Sequence, residues 1–374
     1  MRPSVVILAG VRWDFLWQRH QTLATLFARA GYPTVFVETT GLANPRPSKA
    51  TLGKVLSRAR RSRKKGAKPR QENLTVYAPL TAPPTWKAFR WSNERFLLPR
   101  VLRVLKEIAG PRPVVVAYPP TRTTLALISG LDPRLVLYDR SDDYEHFPGA
   151  PKDIAKTERE LLLRADLVSC TSQHLLKGAR RIRPDAFLSG PAVDYERFAV
   201  LQDACRVREV RTVCFFGDAR QERIDFEILE AIAGADFGLR IVGGLDDAGQ
   251  GLLKMPGVDY RGEVSHAGLP GTLVGVDAFV LPYRVNAMTR AISPAKTYEC
   301  LAAGRPVVTA PLPAMEELGE HVYLAERPED YVGTLRRLWD QETPRKVLAG
   351  IELARENSWE VRFGELEEVL WRAL

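Results

Sequence analysis

The stretch Pro282–Thr309 reads PYRVNAMTRAISPAKTYECLAAGRPVVT. Ser293 and Pro294 are residue types that open a helix, as cap and first helical residue. Gly304 ends that helix before an apolar strand at Pro306. Lys296 then falls in the first turn, where the helix dipole is positive and a cation is favoured only with an anion beside it. Exposed amides together with an ammonium make a phosphate cradle. Glu299 lies three residues on, on the same face, and a carboxylate accepts hydrogen bonds from a vicinal diol such as ribose presents. A cation and a carboxylate one turn apart thus suit a nucleoside diphosphate, and the same spacing equally suits a surface ion pair.

Other clusters follow apolar strand-like runs. Gly217 closes Thr212–Phe216 and permits close backbone approach. Arg220 and Arg223 stand just beyond, able to neutralise a leaving diphosphate or to balance Glu222 and Asp225 on the surface. Gly243 and Gly244 end the next strand and could take a base or its sugar nearby, although paired glycines also make ordinary turns. In the first half, Gly10 is followed by Trp13 and Asp14 directly after a strand. Tyr138–His146 places Asp139, Asp142, Asp143, Glu145 and His146 after another. Asp142 and Asp143 are the candidate catalytic base or acceptor-positioning groups, with Gly10, Trp13, Asp14, Asp139 and His146 as candidate acceptor residues. Loop solvation is the alternative for these acids. The chain has no Asp-x-Asp triplet, so no bound metal is expected and no organic cofactor is called for.

Positioning such groups requires strand ends. Runs at Ser4–Ala9, Pro33–Glu38, Asn73–Tyr77, Pro113–Tyr118, Arg134–Asp139 and Asp166–Thr171 alternate with helical patterns at Trp17–Ala30, Asn93–Ala109, Thr121–Ser129 and Ile154–Arg164. The second half repeats this with strands at Thr212–Phe216, Leu239–Val242, Val258–Glu263, Ala278–Tyr283, Pro306–Thr309 and His321–Ala325. The expected fold is α/β, with two Rossmann-like domains facing a cleft. The expected domains are 1–200, on the acceptor side, 201–355, which carries the nucleoside-diphosphate residues and to which the family resemblance given below assigns a nucleotide-sugar, and a closing helix in 356–374, with the linker near Asp194–Val207. A length of 374 residues suits two domains.

Charge divides along the same line. Residues 1–200 carry 34 Lys and Arg against 17 Asp and Glu, or +17, and residues 201–374 carry 20 against 28, or −8. Arg58–Arg70 holds eight basic residues in thirteen, a solvated loop or a contact for an anionic membrane. Hydrophobic residues at 45% and charged residues at 26% exclude a disordered or fibrous chain. Four scattered cysteines, Cys170, Cys205, Cys214 and Cys300, exclude a disulfide scaffold and fit a cytoplasmic setting, at the inner membrane face if the basic loop binds lipid. No apolar run approaches the ~20 residues of a membrane span. G-x-G-x-x-G, G-x-x-x-x-G-K-[ST] and H-E-x-x-H are all missing from the chain.

Together these stretches resemble the GT-B glycosyltransferases, in particular those with a GT4-like carboxyl-terminal domain. Ser293–Val308 is similar to that family's S-P-x-K-x-x-E-Y-L-A-A-G-x-P-V-V element. The resemblance implies that Glu299 holds the donor ribose and that Lys296 lies near the diphosphate. Trp13–His20 resembles the W-D-x-x-W-Q-R-P/H opening of a bacterial subgroup, and Tyr138–Asp143 its Y-D-x-x-D-D. Pro191–Phe198 resembles the linker element N-G-V-D-x-x-x-F, with Pro191 and Ala192 in place of Asn-Gly, and His266–Pro270 resembles H-x-x-L-P. Two features depart from the family pattern: Ala291 stands where many retaining members carry the first Glu of E-x7-E, and Ser141–Asp143 stands where they carry a histidine. The implied activity is metal-independent glycosyl transfer from a nucleotide-sugar to a hydroxyl of a glycan, lipid-linked or small-molecule acceptor. The alternatives are a nucleotide-sugar 2-epimerase, a non-catalytic nucleotide-sugar or glycan binder and, last, a nucleic-acid binder.

Overall fold

Val5–Ala9 (β1) is apolar at every position and buried at every position. Strands covered on both faces read as continuous rather than alternating apolar runs. In the computed structural model, residues 2–14, 17–38, 67–81, 87–147, 150–202, 209–338 and 342–374 are described. They form two units, Met1–Ser189 with Leu366–Leu374, and Gly190–Glu365. The division falls just ahead of the expected linker. The last residues join the first unit, where Tyr32 Oη donates to Glu367 at 2.7 Å and its ring lies 6.3 Å from that of Trp371.

The first unit holds β1, β2 (Thr34–Glu38), β3 (Ala67–Gln71), β4 (Leu74–Tyr77), β5 (Val114–Ala117), β6 (Leu135–Arg140), β7 (Leu167–Cys170) and β8 (Phe187–Leu188) in one sheet of order β3-β4-β2-β1-β5-β6-β7-β8. All its pairings are parallel except β3 with β4. The second unit holds β9 (Thr212–Phe216), β10 (Gly238–Val242), β11 (Val258–Gly262), β12 (Ala278–Leu281), β13 (Val307–Thr309) and β14 (Tyr323–Leu324) in the order β11-β10-β9-β12-β13-β14, all parallel. In each sheet the chain winds outward from a central strand, first one way and then the other. The reversal lies between β1 and β5 in one unit and between β9 and β12 in the other. Crevices at the carboxyl ends of such strand pairs are where open α/β sheets bind ligands.

Two elements differ from expectation. β3 lies inside a segment expected to be loop; it is an edge strand, where Pro69 and exposed Lys68 and Arg70 are tolerated because one side needs no partner. The basic residues 58–66 lie outside the described residues. The helix expected from Asn93 starts at Lys87 and passes through a π-helical turn, Asn93–Leu97, before Leu98–Ala109. Pro99, two residues past that turn, has no N–H to give the Arg95 carbonyl four residues back, which explains the widened register.

Arg305, only 3% exposed, holds the second unit's loops together. Its guanidinium donates to the carbonyls of Val276 at 2.7 Å, Leu201 at 3.0 Å, Ala303 at 3.1 Å and Gly304 at 3.2 Å. Arg305→Met keeps the apolar stem and removes those donors. Urea denaturation is expected to show a loss of about 3 kcal/mol or more; an unchanged midpoint refutes the role.

Candidate functional site

In the second unit the helix Ala295–Ala302 follows β12 and carries Lys296 in its first turn. The Lys296 ammonium donates to the carbonyl of Phe216, the last residue of β9, at 2.9 Å. It lies 5.1 Å from the centroid of the Phe215 ring and 5.8 Å from that of Tyr283. Gly217 is what lets it in. A Cβ on Gly217 would sit 2.1 Å from Nζ, and the residue has φ +126°. Gly243, at φ +128°, ends the neighbouring strand β10, and a Cβ there would lie 2.1 Å from the Gly217 carbonyl oxygen. The two strand ends are tied by Gly217 N–H to Val242 O and Ala219 N–H to Gly244 O, both 2.8 Å. Lys296, Gly217 and Gly243 thus meet at the reversal point of the sheet, and Gly244 borders it beside the carboxylates of Asp218 and Glu263.

The alternative reading of Lys296 and Glu299 as a surface ion pair with each other is not what the structure shows: the two side chains have separate destinations. The Glu299 carboxylate lies 3.6 Å from His266 Nε2, with 18% of its side chain exposed. Arg220 Nε donates to both oxygens of Asp218 at 3.0 Å. Arg223 is exposed on the same loop. The helix start differs by one residue from expectation: Pro294 is the cap, with extended backbone, and Ser293 lies outside it without capping the helix. Proline at the cap still fits, because its missing N–H falls where a helix has no acceptor for one.

In the first unit, the loop after β1 is pinned from below. Trp13 N–H donates to Glu38 at 3.0 Å, and the Trp13 ring packs edge-on against Phe36 and Trp17. Gly10 faces Pro119, the residue after Tyr118 beyond β5. Asp14 is exposed and pairs with Arg70 at 2.9 Å. Asp139 corrects the acceptor-residue expectation. It is fully buried, bound by Arg19 Nε at 2.6 Å and by Ser169 Oγ at 2.7 Å, while Arg19 also donates to Ser189. A buried carboxylate needs such partners to stay charged, so Asp139 anchors the helix Arg19–Arg29 to the sheet and does not face a ligand. Beyond the strand, Asp142 accepts from Ser141 Oγ, and Asp143 binds His146 Nδ1 at 2.9 Å. That leaves His146 Nε2 outward, on a side chain that is 52% exposed.

Sequence reading passed over Ser169, Ser189 and Glu38 and quoted Arg19 only as part of a motif; their roles arise from strands distant in sequence. It also quoted Arg197 and His266 only as parts of motifs; a histidine beside an otherwise apolar run was the available signal. Among the described residues, no three His, Cys, Asp or Glu side chains are grouped to hold a metal.

Two measurements follow from this geometry. Gly243→Ala drives a methyl into backbone, whereas Gly217→Ala meets the movable end of Lys296. The first is expected to lower stability by about 1–3 kcal/mol more than the second, and equal urea midpoints would contradict the packing. Burial pushes the His20 imidazole, tilted against the Tyr118 ring, down from 6.5 to about 4 against the opposing pull of Asp139. The unfolded chain therefore takes up the proton first. The fold is at full strength above pH 6.5 and loses about 3 kcal/mol as pH falls towards 4. Denaturation of wild type and His20→Gln at pH 7 and 4.5 is expected to show a smaller acid loss in the variant; identical losses would refute it.

Residues 210–341 match the family described as Glycosyl transferases group 1. Over 237 residues, 58% of this chain, the sequence is 26% identical to a putative teichuronic acid biosynthesis glycosyltransferase, TuaH, of Bacillus subtilis (strain 168), and the match spans 59% of that relative. The fold is similar to that of a sucrose-phosphate synthase from Thermosynechococcus elongatus, at 15% identity and a TM-score of 0.70, each chain covered in full. It is also similar to Anabaena HepE, solved in complex with UDP and glucose, at 13% identity and a TM-score of 0.67 over the whole of both chains. The two units thus share the fold of these two structures, and residues 210–341 of the second unit carry the likeness to the group 1 glycosyl transferases.

Proposed function

We propose that the chain transfers a sugar from a nucleoside-diphosphate-sugar to a hydroxyl group of a glycan, lipid-linked or small-molecule acceptor, with no metal. One observation carries the reading: the Lys296 ammonium sits at the β9–β12 reversal in the space left by Gly217, with Glu299 one turn along the same helix. The donor's diphosphate is assigned to Lys296, Arg220, Arg223 and the amides that open the helix after Ser293 and Pro294, its ribose to Glu299, and its base to the neighbourhood of Gly243 and Gly244. HepE was solved with UDP and with UDP-glucose, which supports a uridine donor as the first to test.

The chemistry follows from the charges. As the glycosidic bond breaks, negative charge grows on the leaving diphosphate, and preplaced cations stabilise it without reorganising. The exposed Arg220–Asp218 pair is worth ~0–1 kcal/mol, so an arriving phosphate displaces the carboxylate at little cost. On the acceptor side we assign the base that receives the hydroxyl proton to Asp142 or Asp143, with His146, held by Asp143, among the acceptor contacts. Contact with an anionic membrane at the cytoplasmic face remains part of the proposal through the basic segment, of which Lys68 and Arg70 are exposed. Among the described residues no helix is long and apolar enough to cross a membrane.

Calorimetric titration of UDP, GDP and TDP tests the donor assignment. Lys296→Ala and Glu299→Ala are expected to stay folded and to weaken the preferred diphosphate by about tenfold or more. Lys296→Ala should also lower kcat by ~10²–10³. Wild-type affinity in both variants would reject the reading.

A further inference from the structure

We propose that His266 is a positioning residue that aims Glu299 at the donor, held by a chain of contacts running Asp194, Arg197, His266, Glu299; this rests on the assignment of Glu299 to the ribose. Asp194 binds Arg197 Nε at 2.8 Å. Arg197 Nη1 lies 2.7 Å from His266 Nδ1. His266 Nε2 lies 3.6 Å from Glu299 Oε1. Phe198, fully buried, sets its ring edge towards the imidazole at 6.3 Å between centroids.

The chemistry of the middle link decides the rest. A guanidinium has five N–H groups and no acceptor, so at 2.7 Å the imidazole Nδ1 must present its lone pair. The ring hydrogen therefore belongs to Nε2, the atom that faces the carboxylate. Without Arg197 the ring is free to carry its hydrogen on Nδ1, and a lone pair would then face Glu299. The distance of 3.6 Å is beyond a normal hydrogen bond, so the contact steers Oε1 without saturating the carboxylate. The capacity left over is what a diol needs. The His266 and Glu299 side chains are 23% and 18% exposed, dry enough for the orientation to matter.

The chain also joins three sequence segments with no evident link along the sequence. Arg197 lies in Pro191–Phe198, His266 in His266–Pro270 and Glu299 in Ser293–Val308. Each is local to its own loop or helix, and only their shared packing in the second unit brings them into line.

The test compares UDP with 2′,3′-dideoxy-UDP, which lacks the diol, by calorimetric titration into wild type, His266→Ala, His266→Gln, Arg197→Met and Glu299→Ala. Wild type should bind the dideoxy compound about tenfold more weakly than UDP. His266→Ala should lose most of that preference by weakening UDP alone, leaving dideoxy-UDP at wild-type affinity. Arg197→Met should do the same, and His266→Gln, which keeps a side-chain N–H, should recover most of the preference. A His266→Ala variant that weakens both ligands equally, or neither, overturns the proposal while leaving Glu299 intact. If Glu299→Ala itself keeps the full preference for UDP, or if wild type shows no preference or binds neither ligand, the ribose assignment fails and the proposal with it.

Discussion

An ammonium occupying the place of a missing side chain is the constraint around which the second unit is arranged. Lys296 can reach the carbonyl of Phe216 only because residue 217 has no Cβ, and Gly217 can take its left-handed turn beside β10 only because residue 243 has none either. Two glycines and one lysine thus fix how closely β9, β10 and the helix after β12 approach one another. In the crowded space at a sheet's reversal point, that approach sets where a positive charge stands and leaves main-chain N–H groups of the helix start beside it.

The first unit solves a different problem with charge. Asp139 and Arg19 are taken out of water together, and two serines complete their hydrogen bonds. Arg140, Glu158 and Tyr138 form a second such group one strand turn away. Removing one partner of such a group is costly, because the other is left charged and dry. Acidic residues at and beyond the end of β6 therefore divide into two classes that look alike in sequence: Asp139 and Glu158 stabilise the fold, whereas Asp142 and Asp143 have hydroxyl and imidazole partners.

Orientation of functional groups in the second unit extends beyond the helix that bears them. Glu299 is met by a histidine from the segment before Leu269–Leu273, and that histidine by an arginine from the short helix Tyr195–Ala199. Hydrogen-bond capacity flows one way along this series, since arginine can only donate. A carboxylate held by such a series keeps its rotamer with less loss of freedom on binding, which is how preorganisation raises affinity.

Most of the strands were legible from residues alone. Runs such as VVILA, VCFF and AFVL are apolar throughout, and burial on both faces is the environment that such runs require. The helix carrying Lys296 and Glu299 was legible too, through proline near its start and glycine at its end. Side-chain destinations were not. Spacing put Lys296 and Glu299 on one face and made an ion pair between them reasonable, yet each found a partner about 80 or 33 residues away along the chain. The burial of Asp139, the edge strand β3 and the π-helical turn before Pro99 were likewise decided by tertiary packing. The reason is one of range. Apolar periodicity and turn chemistry act within a few residues, whereas the partner of a charge is whichever group the folded sheet brings within a few ångströms.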